Sequence, residues 1–461
     1  MLFNDIKFIY FFVPVLVIFY LLNMTSRKWI KNIFLLFASY LFYGLFEAKF
    51  LLVLIFITII NYAVIRLVSK RKNKNILVLG IVLSLLPLAF FKYTYFLLND
   101  VLGIESHLLE GIALPVGISF FTFQALSYTI DIYRGKEKEL PSFLNFSLYT
   151  AFFPTVLSGP IERARTLMPQ IKSRQQWDLM LVLNGLQLFI WGLFQKIVVA
   201  DRIAEYIGYV YEHPETYGTT TILLTMSLYS IQIYCDFAGY SNMAIGVGRM
   251  LGFDVCKNFD FPYFSTSIRS FWKKWHISLT SWLTEYVYFS LGGNRVKEWR
   301  WILNILIVFL ISGIWHGAAW TFIIWGLIHA IYQIIEHYVL GKKEFNSIMA
   351  KTAAGIFLFC IVSVAFVFFR ADSLDKALLV LSSLKNYDIT LFTMFATQFS
   401  LLLFVLALWL VFELMQFARK VKVSEANDNP FGWINLSFMI TATLCVSLLG
   451  KGGATFVYFQ F

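Results

Sequence analysis

Residues 50–68 read FLLVLIFITIINYAVIRLV, and residues 69–74 continue as SKRKNK. The first stretch carries a single charge, Arg66, near its end, and the second carries four cations. About 20 mostly apolar residues cross the hydrocarbon core of a bilayer, and Lys and Arg gather on its cytoplasmic side. The pair therefore predicts a transmembrane helix running into a cytoplasmic loop. Further apolar runs lie at 8–22, 30–46, 76–96, 112–130, 180–199, 219–238, 301–315, 318–338, 352–369, 395–417 and 432–450. Over all 461 residues the chain is 59% hydrophobic and 14% charged, against about 45–50% and about 25% in soluble domains. Aromatic residues make up 19%, led by 49 Phe, which suits a lipid-facing exterior. These figures exclude disorder, a collagen-like repeat and a secreted disulfide scaffold. They predict one continuous all-α polytopic domain over 1–461, with about 11–12 transmembrane helices. The first run lacks a strongly basic flank and a small-residue cleavage site, so it reads as a retained helix.

The formal net charge is +11. With the N-terminus outside, most of the 38 Lys and Arg fall in the loops 23–31, 66–74, 134–174, 249–300, 342–351 and 419–422. Asp100, Glu105 and Glu110 fall on the other side. Positive-inside topology thus accounts for the basic balance without nucleic acid.

Two stretches depart from simple spans. Residues 146–158, FSLYTAFFPTVLS, are apolar but short, contain Pro154, and lie between Arg134, Lys136 and Lys138 before and Arg163 and Arg165 after. That reads as a re-entrant element, which is tolerated only inside a bundle or along a cavity. Over 265–290, Trp272, Trp275, His276, Leu279, Trp282, Leu283 and Tyr286 share one helical face, opposite Arg269, Lys273, Lys274, Ser278 and Ser281. The pattern predicts one amphipathic helix at the cytoplasmic interface, its tryptophans at headgroup depth and Ser265 or Thr266 as its cap. Cys235, Cys256, Cys360 and Cys445 form no CxxC pair and read as free, buried thiols.

Of six histidines, His107, His213 and His337 read as solvated surface residues. His316 stands in SGIWHGAAW between two apolar runs, where Gly313 and Gly317 permit close approach or a helix break. An intramembrane ionisable residue is a functional candidate, and a neutral imidazole is a competent base. A hydrogen-bonded core histidine joining two helices is the alternative on these residues alone. His276 faces the aromatic side of its stretch, and His329 reads as packing. Gly246, Gly248 and Gly252 follow no strand, so they make no dinucleotide fingerprint, and the histidines and acids give no metal set. Asp236 is the one acid deep in an apolar run, to be paired with an interior Lys or Arg or with hydroxyls.

Several blocks carry a resemblance. They are LPVGISFFTFQALSYTIDIYRG (114–135), LSGPIERA (157–164), QIYCDFAGYSNMAIGVGRMLGF (232–253), FPYFSTSIRSFWKKWHISLTSWLTEYVYFSLGGNR (261–295), SGIWHGAAWTFIIWGLIHA (312–330) and the terminal VYFQF. In this order they resemble the bacterial membrane-bound O-acyltransferases, in the alginate O-acetylase branch. The resemblance implies a ring of helices around a central tunnel and acyl transfer to a hydroxyl. It marks His316 as catalytic and His276 as a second functional position. The chain then divides into N-terminal helices (1–111), a catalytic core (112–330) and C-terminal helices (331–461).

That function implies an acetyl thioester, acetyl-CoA, as donor substrate with no bound cofactor, and a polysaccharide acceptor beyond the bacterial inner membrane. His316 would take the proton of the attacking hydroxyl, while His276 would donate to the oxyanion or position the thioester. Arg269, Lys273 and Arg295 would attract the coenzyme's phosphates, or are ordinary positive-inside charge. Partners implied are membrane lipid and an extracytoplasmic acetyltransferase. D-alanyl transfer to teichoic acid is the alternative on the same fold. A proton-gated transporter is disfavoured by the lack of inverted halves and the scarcity of intramembrane acids.

Overall fold

A computed structural model describes residues 1–25, 27–104, 114–341, 345–392, 396–422, 432–451 and 456. His107 and the terminal VYFQF lie outside the described residues. Regular structure among the described residues is helical throughout. Nine runs among them are long and apolar enough to cross a membrane, and the protein is a multi-pass membrane protein. The chain packs as two compact units, Met1–Phe189 with Tyr240–Lys257, and Ile190–Gly239 with Asn258–Phe461.

The first unit opens with α1 (Ile6–Asn23), α2 (Lys28–Glu47), α3 (Leu51–Arg71) and α4 (Lys74–Tyr95). The stretch read as a span at 50–68 is thus α3. Polar residues just outside the apolar runs supply the caps: Asp5 accepts the Lys7 amide at 3.2 Å and Asn73 the Asn75 amide at 2.8 Å. Large apolar side chains such as Leu52 of α3 remain exposed, as expected where lipid takes the place of water. The span read at 112–130 is α5 (Ile118–Arg134), whose residues 118–132 are all buried.

The re-entrant reading of 146–158 agrees with the geometry. α6 (Phe143–Ala151) has nine residues and rises only about 14 Å, half of what a span needs. Irregular backbone then leads to α7 (Ala164–Lys172). Every residue from Phe146 to Ala164 is buried. Several of its polar groups are met from neighbouring helices, as buried backbone requires. The Phe153 amide donates to Ser39 Oγ of α2 at 3.2 Å. Gln124 of α5 donates to the Tyr149 carbonyl and accepts the Glu162 amide at 3.2 Å. Gly117, at φ +80°, has no room for a side chain, because a Cβ would stand 2.3 Å from the Val156 carbonyl oxygen. Glu162 is fully buried and accepts the Cys256 amide at 2.6 Å and the Thr166 hydroxyl at 2.9 Å, while burial raises its carboxyl above the usual range.

The second unit holds the end of α8 (Leu179–Leu193), a widened turn over Phe194–Ala200 and α9 (Asp201–Glu212). α10 (Thr219–Met250) contributes residues to both units. The second unit continues with α11 (Ile268–Trp272), α12 (Ile277–Leu283), α13 (Glu298–His316), α14 (Trp320–Val339), α15 (Ile348–Arg370), α16 (Leu374–Ser382), α17 (Ala396–Lys422) and α18 (Trp433–Leu449).

The single amphipathic helix expected over 265–290 is not formed. The chain breaks between α11 and α12, where His276 adopts a left-handed conformation (φ +43°, ψ +54°). The cap of α11 is Ser267, not Ser265 or Thr266. Trp272, Trp275 and Trp282 are core residues, 8%, 1% and 6% exposed, rather than residues at headgroup depth, and Ser278 is buried as well. The apolar spacing persists across the break, so periodicity alone could not show it. The cysteines also differ from expectation: Cys235 and Cys445 are buried, Cys256 is partly exposed, and Cys360 is exposed on the apolar surface of α15.

Candidate active site

α13 ends at His316 because the chain turns at Gly317 and restarts at Trp320. The two helices meet closely there, and a Cβ on Gly313 would lie 2.3 Å from the Phe322 carbonyl oxygen. On Gly317 it would lie 2.0 Å from the Phe322 ring. Small residues in SGIWHG therefore hold His316 against the start of α14, as the sequence predicts. Its imidazole is buried, with ring centroids of Trp325 at 4.9 Å, Trp315 at 5.0 Å and Phe369 at 5.1 Å.

His276 reaches the same place from the break before α12. Its ring centroid lies 6.4 Å from that of His316, 5.7 Å from Trp315 and 4.6 Å from Phe237 of α10. Burial pushes the His276 imidazole down to about 3, so the ring is neutral at physiological pH. Its Nδ1 lies 3.3 Å from Asn258 Oδ1. The start of α11 is fixed from α14, where Glu336 accepts the Ile268 amide and, at 3.2 Å, the Arg269 amide.

His329, read as a packing residue, extends the same cluster. Its ring stands 4.9 Å from both Trp325 and Trp272, and neither ring nitrogen meets a hydrogen-bond partner among the described residues. The histidines expected at the surface behave differently. His213 is exposed, with Nδ1 3.4 Å from Glu215. His337 is half-buried against the Trp301 ring at 4.4 Å.

The cations proposed for donor binding do not converge on these rings. Lys273 and Arg295 are exposed and Arg269 is half-buried. Their side chains share no hydrogen bond or ion pair with one another among the described residues.

Asp236 does find the interior cation expected for it. Lys196, in the widened turn after α8, lies 2.5 Å from Asp236 and 2.7 Å from Asp201, and all three side chains are at most 3% exposed. Lys196 was legible only as a lone cation within the apolar run 180–199. Asn258 gave no signal of its own, since its partners begin eighteen positions later. The Phe456 ring links the two clusters, 5.9 Å from the Lys196 ammonium and 6.0 Å from the Phe237 ring.

Two imidazoles within one aromatic cage suit proton transfer at an attacking hydroxyl. Comparison with known proteins agrees. The profile of the membrane-bound O-acyltransferase family (MBOAT) matches residues 35–370. The probable alginate O-acetylase of Azotobacter vinelandii is 32% identical over 100% of both chains. The peptidoglycan O-acetyltransferase of Helicobacter pylori is 36% identical over 84% of this chain and 80% of its own. The teichoic acid D-alanyltransferase of Bacillus subtilis is 30% identical over 58% of this chain and 70% of its own.

Proposed function

The chain belongs to the membrane-bound O-acyltransferase family and is an O-acyltransferase, and from that premise we propose that it carries acetyl groups across the membrane. The donor is a cytoplasmic thioester, acetyl-CoA. The acceptor chemistry is O-acetylation of an extracytoplasmic polysaccharide, directly or through an extracytoplasmic acetyltransferase. The chain sits in a bacterial cytoplasmic membrane with its N-terminus outside, a placement supported by the basic loops at Arg27–Lys31 and Arg66–Lys74. The observation that carries the reading is the buried His316–His276 pair, on the WHG and WHISL blocks of a family whose matched members transfer acyl groups.

In this reaction His316 removes the proton of the acceptor hydroxyl as its oxygen forms a bond to the acetyl carbonyl carbon. The tetrahedral oxyanion collapses, the carbon–sulfur bond breaks, and the thiolate leaves with the proton that His316 returns. His276 is a second functional residue beside the carbonyl, as a hydrogen-bond partner of the reacting groups. Arg269, Lys273 and Arg295 supply cytoplasmic positive charge that steers the coenzyme's phosphates.

The test is thioester turnover by the full chain in lipid nanodiscs, with acetyl-CoA and with a D-alanyl carrier protein as rival donors. Acetyl-CoA turnover is expected, and His316→Ala should lower it by about 10²–10⁴ while the protein remains monodisperse. Preference for the D-alanyl donor would move the chain to the other branch. Undiminished turnover in His316→Ala would overturn the assignment of the base.

A further inference from the structure

Asn258 holds the first turn of α12 by three contacts. Its carbonyl oxygen accepts the Ile277 amide at 2.8 Å. Its Oδ1 accepts the Ser278 hydroxyl at 2.6 Å and the Ser278 amide at 3.3 Å. A backbone N–H can only donate, so the side-chain atom facing Ser278 is the amide oxygen and not its nitrogen. The same oxygen lies 3.3 Å from His276 Nδ1. An amide oxygen carries no hydrogen, so the hydrogen of that contact belongs to the imidazole.

We infer that Asn258 is a positioning residue that locks His276 in the Nδ1–H tautomer, so that His276 presents a lone pair, not a proton, at Nε2. The inference rests on the acyl-transfer reading and narrows it. A neutral ring has one N–H, and burial holds His276 neutral well below physiological pH. With that hydrogen turned toward Asn258, His276 cannot donate to an oxyanion. It accepts instead, from a hydroxyl or amide N–H of the substrate beside His316. The left-handed backbone at His276 is a strained conformation for a non-glycine residue, and the Asn258 contacts on Ile277 and Ser278 offset that strain. The rings packed on His276 include Phe237, Trp315 and His316.

The experiment uses the full chain in nanodiscs with ¹⁵N-labelled histidine, and a difference spectrum against His276→Asn isolates the His276 signals. At pH 7.5 the expected pattern is a protonated Nδ1 and an unprotonated Nε2. A protonated Nε2, alone or in an imidazolium, would overturn the inference whatever the activity. Asn258→Asp keeps an acceptor for both Ser278 and His276, so acetyl-CoA turnover per folded molecule should stay within about tenfold of wild type. Its optimum should move to higher pH, because a carboxylate beside His276 stabilises the imidazolium. Asn258→Leu removes the acceptor at similar volume and should lose about a hundredfold or more, with the tautomer signal lost too. Equal damage by Asp and Leu in monodisperse protein counts against the inference. Absence of turnover in the wild type would sink the acyl-transfer reading alone, since the ¹⁵N pattern is read without it.

Discussion

Around Lys196 the second unit buries an ammonium between two carboxylates, whereas around His316 it buries three imidazoles among indole and phenyl rings. Lys196, Asp201 and Asp236 hold one another at 2.5–2.7 Å. His276, His316 and His329 are separated or walled by Trp315, Trp325, Trp272 and Phe369 at centroid distances near 5–6 Å. Charges in a low-dielectric interior persist only when paired, and a paired group is held in one protonation state by its partner. A general base must gain and release a proton within each turnover. The rings that wall the imidazoles are aromatic and carry no charge of their own. The contrast suits the charged cluster to the architecture and the caged histidines to the chemistry proposed for them.

The sharpest way to break that contrast is to exchange the consequences of the two sites. Lys196→Met leaves two carboxylates facing each other out of water, and should cost about 3–5 kcal/mol of stability. Thermal unfolding in nanodiscs reads the loss. Adding Asp201→Asn and Asp236→Asn should recover most of it, with turnover per folded molecule close to wild type. A Lys196→Met protein that is as stable as wild type but inactive would place the charged cluster in the reaction.

Acid provides a smaller effect with a defined sign. The unfolded chain protonates His276 near the ordinary 6.5, and the folded chain only near 3. Stability from this group is therefore complete above pH 6.5 and falls as pH drops toward 3, by roughly 1.4 kcal/mol per pH unit. His276→Asn should flatten the slope of the denaturation midpoint against pH over that window. An unchanged slope would show that His276 is hydrated or paired more closely than its cage suggests.

Lys273→Ala marks the lower end. A single exposed cation meeting a phosphate is worth about 0–1 kcal/mol, so KM for acetyl-CoA should rise fivefold or less, and the rise should vanish at high salt. A loss of kcat instead would mean that Lys273 reaches the reacting groups, which its exposed position opposes.

The spans and the buried position of His316 were legible because hydropathy and an ionisable residue between apolar runs are local signals. The run 50–68 became α3 (Leu51–Arg71), and the glycines around His316 do permit the close approach expected of them. The break at His276 was not legible. Hydrophobic periodicity records which side chains are buried, and Trp272, Trp275, Leu279 and Trp282 stay buried on both sides of a left-handed residue. What holds the break is Asn258, distant in sequence and unremarkable in type. The pairing of Asp236 with Lys196 likewise joins different helices, and only the acid's need for a partner was visible. Cys360 shows the remaining ambiguity: an apolar helix facing lipid has the same composition as one facing the core.

The short buried stretch from Phe146 to Ala164 bears on how the protein is made. Its polar backbone groups find partners on Ser39 of α2 and Gln124 of α5, and its own Tyr149 hydroxyl donates to the Glu162 carbonyl at 2.8 Å. Ser39 and Gln124 lie earlier in the chain and emerge first, but they can serve the segment only once α2 and α5 have packed together, and hydrocarbon supplies no substitute. The segment must therefore wait at the membrane surface until α2 and α5 have assembled around an opening for it. Biogenesis then has two stages, insertion of the long apolar helices followed by entry of this element, and the second stage is where a misassembled chain would first be exposed to quality control.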